Sequence, residues 1–292
     1  MASTFRSKPT GATVTRFAPS PTGELHLGHA FAALIAERAA ARDDGRFLLR
    51  IEDIDQGRCL EEFVAGIRED LRWLGLIWEE PVRRQSEHLA DYRAAIERLD
   101  ALGVLYPCFC TRKDIAYEIS RSPAAPHGPD GPLYPGLCRN MPSEERSRRV
   151  EAGEPYALRL DLARAMAIAE HKAGGPFTWN DAGTAIACDP NLLGDVVLAR
   201  KDAPTSYHLA VTLDDALQGV TLVTRAKDLF GATHVHRLLQ ALLDLPSPAY
   251  FHHDLILGDG GQRLSKRDGA KSLKALRAEG LGPLDIRRML EL

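Results

Sequence analysis

The opening residues constrain the fold more than any other part of the chain. Thr13–Ala18 (TVTRFA) has the composition of a short strand, and Pro19–Gly23 (PSPTG) is a loop of turn-forming residues. His29–Arg42 then shows the alanine- and leucine-rich pattern of a helix, and Phe47–Ile51 returns to a short apolar run. Strand, loop, helix and strand in this order form the βαβ unit of a parallel sheet, so the sequence predicts an α/β fold.

A ligand site is predicted at the carboxyl end of this sheet. The acidic stretch Glu52–Asp55 follows the second strand directly, and parallel sheets bind ligands beyond the carboxyl ends of their strands. Apolar spacing predicts two further helices, at Glu61–Leu74 and at Ser86–Leu102, and Gly103 ends the second one.

The middle of the chain differs in composition. From Pro107 to about Pro190 the sequence is rich in proline, glycine and cysteine. Ser122–Pro135 carries too many prolines for a helix or a central strand. An inserted, irregular subdomain is therefore predicted here.

After this insertion the sheet is expected to continue. Apolar strand patterns return at Asp195–Ala199 and Val220–Thr224, with a predicted helix at Tyr207–Leu217 between them. Helical patterns follow at His234–Leu243 and in the charged tail Lys271–Leu292.

Bulk properties exclude several classes of protein. The formal net charge of −3 provides no global basic field, so a nucleic acid would need a local patch. No apolar run reaches the length of a membrane span, and Met1–Gly11 lacks the apolar centre of a secretory signal, so the cytoplasm is the expected compartment. Five scattered cysteines do not form a disulfide framework in a chain of this length.

The loop that precedes the first helix has the character of an anion site. His26, Gly28 and His29 stand at the predicted helix start, where unpaired amides and the helix dipole favour negative charge. Glycine there lets a phosphate or a flat base approach the backbone. The alternative is that these residues only cap the helix and pack.

A second cationic segment lies near the end of the chain. Arg263–Arg267 (RLSKR) follows the glycine-rich turn Gly258–Gly261. Such a loop can close over a polyphosphate and neutralise the charge that develops when it breaks. The alternative is an ordinary solvated basic loop.

Four segments together resemble the glutamyl-tRNA synthetases, in the same order and register. They are RFAPSPTGELHLGH at Arg16–His29, RIEDID at Arg50–Asp55, the stretch Ser206–Phe230 and RLSKR at Arg263–Arg267. The resemblance covers roughly residues 13–270. It implies a class I synthetase with a Rossmann-like parallel-sheet catalytic domain that is split by an acceptor-stem-binding insertion.

The resemblance and the composition together predict a domain layout. The catalytic domain would occupy residues 12–106 and 195–255, and the zinc-containing insertion residues 107–194. Residues 256–292 would hold the signature loop and a helical tail, without an anticodon-binding domain.

The resemblance also implies a glutamate pocket. Arg16 would bind a substrate carboxylate, because a guanidinium group pairs with it bidentately. Glu52 would bind the α-ammonium group. The implied pocket consists of Arg16, Ala18, Ser20, Glu52, Tyr207 and Arg225.

For ATP, bound with Mg²⁺, the resemblance implies a second set of residues. His26, Gly28 and His29 would hold the nucleotide together with Ser265 and Lys266. His26, His29 and Lys266 would be catalytic, and Lys266 would stabilise the transition state at the α-phosphate.

Arg225 bears on which amino acid is used. In the related glutaminyl enzymes the corresponding residue is not arginine, and two arginines favour an anionic side chain over a neutral amide. Two departures from the family are noted. Arg263–Arg267 replaces the family pattern Lys-Met-Ser-Lys-Ser, and Val211 stands where glutamyl enzymes usually have asparagine.

Three clustered cysteines suggest a metal site. Cys108, Cys110 and Cys138 would supply three thiolates to one tetrahedral zinc of structural purpose. Ligand chemistry alone favours His127 as the fourth ligand, whereas the resemblance to bacterial relatives with Y-x-x-x-C spacing favours Tyr134, which we adopt. The alternative is a set of reduced, metal-free cysteines.

The length of the chain points to an unusual acceptor. Only twenty-five residues follow Arg267, too few for a helical anticodon-binding region. This resembles the glutamyl-queuosine tRNA(Asp) synthetases, which implies L-glutamate, ATP and queuosine-bearing tRNA(Asp) as partners and no obligate protein partner. The alternatives are a core that charges a tRNA 3′ end, and an inactive zinc-containing RNA-binding module.

Overall fold

The helices and strands follow one another in the order of an α/β protein. The computed structural model describes residues 11–121, 127–128, 131–256 and 271–292. The first elements are β1 (Val14–Phe17), α1 (Leu27–Ala41), β2 (Arg46–Ile51), α2 (Glu61–Trp73), β3 (Glu79–Arg84), a 3-10 turn (Gln85–Glu87), α3 (Leu89–Ala101) and β4 (Leu105–Cys108). The middle elements are α4 (Arg112–Arg121), β5 (His127–Gly128), β6 (Gly131–Pro132), α5 (Ser143–Glu151), β7 (Ala157–Leu160), α6 (Leu162–Ala173), β8 (Thr178–Asp181) and β9 (Thr184–Ala187). The last are a 3-10 turn (Pro190–Leu192), β10 (Val197–Ala199), α7 (Tyr207–Leu217), β11 (Leu222–Ala226), a 3-10 turn (Lys227–Leu229), α8 (Phe230–Leu242), β12 (Ala249–His253), α9 (Leu273–Ala278) and α10 (Pro283–Met289).

The predicted parallel sheet is confirmed, and its strand order changes direction in the middle. β1 pairs parallel with β2, and β2 with β3. β11 pairs parallel with β12, which pairs parallel with β8. The two ladders meet where the Thr221 amide donates to the Val14 carbonyl at 3.0 Å. The chain therefore moves outward from β1 in one direction and from β11 in the other, which creates a topological switch point between them.

Two expectations about the middle of the chain are wrong. Asp195–Ala199 does not continue the parallel sheet, because β10 pairs antiparallel with β7, which also pairs antiparallel with β4. A short apolar run looks the same in either sheet, so its pattern could not decide this. The predicted insertion, from Pro107 to about Pro190, is also not irregular, since it contains the helices α4, α5 and α6. β8 lies within it and nevertheless joins β12. The boundaries at residues 107 and 194 stay a prediction.

Alternation along β2 directs different side chains to the two faces of the sheet. Leu49 and Ile51 are buried with α1 and α2 in an apolar cluster, which Leu273 and Ile286 of the two last helices complete. Arg50 lies between them in sequence and points to the opposite face, where it contacts Asp215 of α7. Because successive side chains of a strand point to opposite faces of the sheet, the charged side chain lies on the face below the switch point. Each helix of the described residues is too short or too polar to cross a membrane.

Candidate active site

A cleft of about 520 Å³ opens at the switch point. Loops and element ends from β1, α1, β2, α7, β11 and β12 surround it. The structure brings together here nine of the residues predicted for glutamate and ATP, namely Arg16, Ala18, Ser20, His26, Gly28, His29, Glu52, Tyr207 and Arg225. Ser265 and Lys266 belong to RLSKR and lie outside the described residues.

An ion network reaches the cleft through Arg16 and Glu52, and it consists of Arg16, Arg50, Glu52, Asp214 and Asp215. Asp215 Oδ1 accepts from Arg16 Nε at 3.0 Å and from Arg50 Nη1 at 2.8 Å. Arg50 is fully buried and also donates to Glu52 Oε1 at 3.1 Å. Burial alone would raise the pKa of Asp215, but Arg16 and Arg50 outweigh burial and lower it. Its carboxylate is therefore ionised, and the charges of the network largely cancel.

Glu52 stands at the carboxyl end of β2, as predicted from its position in the sequence. Its amide donates to the Pro19 carbonyl at 3.1 Å, which holds the loop after β1 against the end of β2. Burial raises the pKa of Glu52 despite the nearby charges of Arg50 and Arg16. An ammonium group in the cleft would act on this pKa in the opposite direction to burial and lower it.

Arg225 of β11 has a different environment from Arg16, although both are buried. Its Nε donates to His252 Nε2 at 3.2 Å, and its Nη1 lies 3.3 Å from His236 Nδ1 and 3.5 Å from the Tyr207 hydroxyl. Its Nη2 donates to Thr233 Oγ1. None of the described carboxylates forms an ion pair with Arg225, so its positive charge has only neutral hydrogen-bond acceptors around it.

We call the residues His208, His236, His252 and Thr233 the histidine shell. Burial, and secondly the charge of Arg225, lower the pKa of His208 and of His252 to about 4. The same causes lower the pKa of His236 well below its usual value. These imidazoles are therefore neutral at pH 7, and the shell adds no charge to that of Arg225.

The start of α1 holds two histidines in defined tautomers. His26 caps the helix, and its Nδ1 accepts from the Gly28 amide at 3.1 Å. His29 Nδ1 accepts from the His26 amide at 3.2 Å. In a neutral imidazole whose Nδ1 accepts, Nε2 carries the proton. A Cβ on Gly28 would lie 3.1 Å from the His26 ring, so glycine lets that ring lie against the helix start.

The C-terminal helices re-enter beside these histidines. The Leu273 amide donates to the Leu25 carbonyl at 2.8 Å, and Ser272 forms an isolated bridge with His26. Ile256 also lines the cleft.

The three predicted cysteines do come together. The sulfur atoms of Cys108, Cys110 and Cys138 all lie within 4.8 Å of one another. The Tyr134 hydroxyl is 3.4 Å from Cys108 Sγ and 3.7 Å from Cys110 Sγ, and it accepts from the Cys138 amide at 2.9 Å. Tetrahedral zinc with Zn–S bonds of ~2.3 Å separates neighbouring ligand atoms by about 3.8 Å. The three thiols are therefore close enough to hold a metal ion, and the Tyr134 hydroxyl lies beside two of them. The side chain of His127 lies outside the described ones.

Sequence analysis missed several residues of the site. Asp215, His236 and His252 contact the predicted arginines, but none of these contacts joins residues fewer than 11 positions apart. A usable signal was the polar Asp214–Asp215 pair within an otherwise apolar helix pattern, because buried charges need partners. Val211, one turn after Tyr207, is buried in α7. It does not appear among the described residues that line the cleft.

Comparisons with known proteins agree with this geometry. Residues 12–292 match the family of tRNA synthetases class I (E and Q), catalytic domain. A glutamyl-Q tRNA(Asp) synthetase of Rhodobacter capsulatus is 51% identical over 96% of this chain and 100% of that protein. One of Symbiobacterium thermophilum is 42% identical over 92% of this chain and 82% of that protein. A solved glutamate tRNA ligase from Elizabethkingia meningosepticum, in complex with its amino acid, has a TM-score of 0.72 and 29% identity over 89% of this chain and 53% of that chain.

Proposed function

We propose, from the premise that this chain belongs to the family of class I glutamyl- and glutaminyl-tRNA synthetase catalytic domains, that it activates glutamate with ATP and transfers it to queuosine in tRNA(Asp). It is thus a ligase with glutamate, ATP and a tRNA as substrates. Two relatives that are named glutamyl-Q tRNA(Asp) synthetase align with 96% and 92% of this chain, at 51% and 42% identity.

The observation that carries the glutamate assignment is Arg225. A buried guanidinium group with only neutral partners is costly unless a ligand brings a negative charge. We propose that one glutamate carboxylate binds Arg225 and Tyr207, and that the other binds Arg16. Since Tyr207 can accept from Arg225, its own hydroxyl proton is available to the carboxylate.

The remaining glutamate contacts follow from the loop after β1. Glu52 would bind the α-ammonium group, because it is a buried carboxylate whose present partner is Arg50. Ala18 and Ser20 line the same end of the cleft and would contribute backbone and hydroxyl contacts.

ATP is assigned to the start of α1. Helix N-terminal amides bind phosphate, and the tautomers of His26 and His29 place an N–H donor at Nε2 of each ring. Gly28 keeps this surface low enough for the nucleotide. Ser265 and Lys266 are proposed to act on the phosphates with Mg²⁺, and this assignment rests on the sequence resemblance alone.

The proposed reaction has two steps. An oxygen of the glutamate α-carboxylate attacks the α-phosphorus of ATP, the bond to the bridging oxygen breaks, and pyrophosphate leaves. A hydroxyl oxygen of the queuosine ring then attacks the carbonyl carbon of glutamyl-adenylate, AMP leaves, and the hydroxyl proton is released. Lys266 would stabilise the charge that develops at the α-phosphorus in the first step.

The cysteine cluster is proposed to bind one zinc ion through Cys108, Cys110, Tyr134 and Cys138. Zinc would supply structural cross-linking in a region with a small apolar core, which consists mainly of Tyr106, Phe109 and the cysteines themselves. Close to the cluster, Asp195 accepts from the Tyr106 hydroxyl and forms an ion pair with Arg139, and so joins the cysteine loop to β4.

The acceptor is tested with two modified tRNAs and radioactive glutamate. We expect tRNA(Asp) that lacks its 3′ CCA end to be labelled, because the proposed acceptor lies in the anticodon. We expect no labelling of tRNA(Asp) from cells unable to make queuosine. The opposite pair of results would overturn the proposed acceptor and favour charging of the tRNA 3′ end.

A further inference from the structure

Arg225 determines the proton positions on the imidazoles that surround it. Its Nε donates to His252 Nε2 at 3.2 Å, so this nitrogen must present its lone pair. The proton of the neutral ring is then on Nδ1, which lies 2.9 Å from Asp181 Oδ1 and donates to it. Asp181 is the last residue of β8, next to β12, and its carboxylate holds His252 in the tautomer that Arg225 needs.

A second branch leaves Arg225 on the side of α8. Arginine can only donate, so His236 Nδ1 accepts from Arg225 Nη1 at 3.3 Å. The proton of His236 is therefore on Nε2, which lies 3.3 Å from His208 Nδ1 and donates to it. Each hydrogen bond in both branches runs outward from the guanidinium group.

The two branches, together with Tyr207 and Thr233, use most of the hydrogen-bonding capacity of Arg225 and none of its charge. Of the five N–H groups of an arginine, Nε contacts His252, the two on Nη1 contact His236 and Tyr207, and one on Nη2 contacts Thr233. The second N–H on Nη2 has no acceptor among the described residues, so we assign it to a ligand. The ion network beside it is built differently, because Asp215 neutralises Arg16 there.

We propose that Asp181, His252, His236 and His208 are positioning residues for amino-acid selection. They orient Arg225 through neutral acceptors only, and so reserve its charge for the side-chain carboxylate of glutamate. This inference rests on the proposed function and extends it to residues that do not touch the substrate. A shell with a carboxylate at the same place would satisfy Arg225 internally and would remove the preference for glutamate over the neutral amide glutamine.

Two substitutions of nearly equal size separate charge from shape at His236. The variant His236→Gln keeps a neutral acceptor near Arg225 Nη1, whereas His236→Glu places a carboxylate there. ATP–pyrophosphate exchange is measured for both, and for the unaltered protein, with glutamate and with glutamine. We expect His236→Gln to keep the glutamate-to-glutamine ratio of kcat/KM within about fivefold, and His236→Glu to lower it on the order of 100-fold.

The outcomes distinguish this inference from the proposed function. Equal ratios in the two variants would overturn the inference, since shape alone would then explain the effect. If the unaltered protein itself fails to exchange with glutamate, the proposed function fails instead. Should His236→Glu not fold, nitrogen-15 spectra of the histidines in the unaltered protein decide the matter. We expect the Nδ1–H form for His252 and the Nε2–H form for His236, and the reverse forms would overturn the inference.

Discussion

The ion network and the histidine shell each contact a buried arginine, and they differ in the charge of the partners that they provide. In the ion network, Arg50 Nη1 is 2.8 Å from Asp215 and its Nη2 is 3.1 Å from Glu52, so the positive charge is neutralised within the protein. In the histidine shell, the acceptors that the described residues offer to Arg225 are all neutral. Arg50 is neutralised without a ligand, whereas Arg225 would gain a charged partner from a bound anion. The difference separates an arginine that holds the site together from an arginine that selects the substrate.

The largest expected effect is on stability, from a substitution in the ion network. Arg50→Gln would leave Glu52 buried without the cation that donates to it and Asp215 with Arg16 as its remaining cation, and we expect the free energy of unfolding to fall by about 3–5 kcal/mol. Urea unfolding measures this change. Arg46→Gln on the same strand is the control, because its ion pair with Glu79 is about half exposed, at 51% and 44%, and should contribute less than about 1 kcal/mol. Similar losses in both variants would contradict the neutralisation assigned to the network.

The matching substitution, at the arginine that the histidine shell surrounds, should affect activity more than stability. Arg225→Gln removes a charge whose protein partners are neutral, so no buried carboxylate is left without its cation. We expect kcat/KM for glutamate in pyrophosphate exchange to fall by about 100-fold or more. The free energy of unfolding should fall by no more than about 2 kcal/mol, from lost hydrogen bonds. A stability loss as large as that of Arg50→Gln would show that the two regions do not differ as described.

At the cysteine cluster, as at Arg225, charge of one sign needs a bound partner to neutralise it. Three thiolates within 4.8 Å would repel one another unless a cation joins them. Because one four-ligand site holds one zinc ion, we expect the purified protein to contain about one zinc per chain. We expect Cys110→Ser to lose the metal and, together with it, roughly 2 kcal/mol of the free energy of unfolding. Cys188→Ser, outside the cluster, is the control. Metal-free protein with unchanged melting in Cys110→Ser would refute the site.

Zinc retention in Tyr134→Phe and His127→Ala identifies the fourth ligand, and we expect the tyrosine change to matter more.

A smaller effect is expected at Asp70, a buried carboxylate with an incomplete partner. Burial raises the pKa of Asp70 to about 6, because Arg277 is 3.7 Å away and compensates only in part. The folded state then binds more protons than the unfolded state between about pH 4 and pH 6, so stability falls as the pH rises through this window.

Replacing Asp70 should therefore stabilise the protein at neutral pH. We expect Asp70→Asn to add about 1 kcal/mol to the free energy of unfolding at pH 7.5, a value discounted for screening by solvent, and to add little below pH 4. Glu69→Gln is the control, since Glu69 also pairs with Arg277 but is 66% exposed. A gain that does not depend on pH would rule out the assigned cause.

Sequence reasoning predicted the parts of the molecule whose information is local. The βαβ opening and the helix Tyr207–Leu217 could be read from periodicity, and the structure has both. The nine described residues of the predicted glutamate and ATP sites lie in one cleft because their motifs end at neighbouring strands. Their roles stay proposals.

The parts that could not be predicted depend on pairing between distant segments. β10 joins β7 instead of the parallel sheet, which a short apolar run does not encode. The strand β12 (Ala249–His253) was not predicted, because its pattern of aromatic residues and histidines has no clear alternation. His252 belongs to this strand, so its contact with Arg225, 27 residues away, was also missed.

The most direct test of the central claim is pyrophosphate exchange by the unaltered protein without tRNA, with glutamate and glutamine compared. An arginine that is buried without a protein anion should select the charged substrate, and a site that must pair a buried charge discriminates strongly. We therefore predict exchange with glutamate, at a kcat/KM at least about 100-fold above that for glutamine. Equal efficiency with the two amino acids, or no exchange with glutamate, would contradict the account.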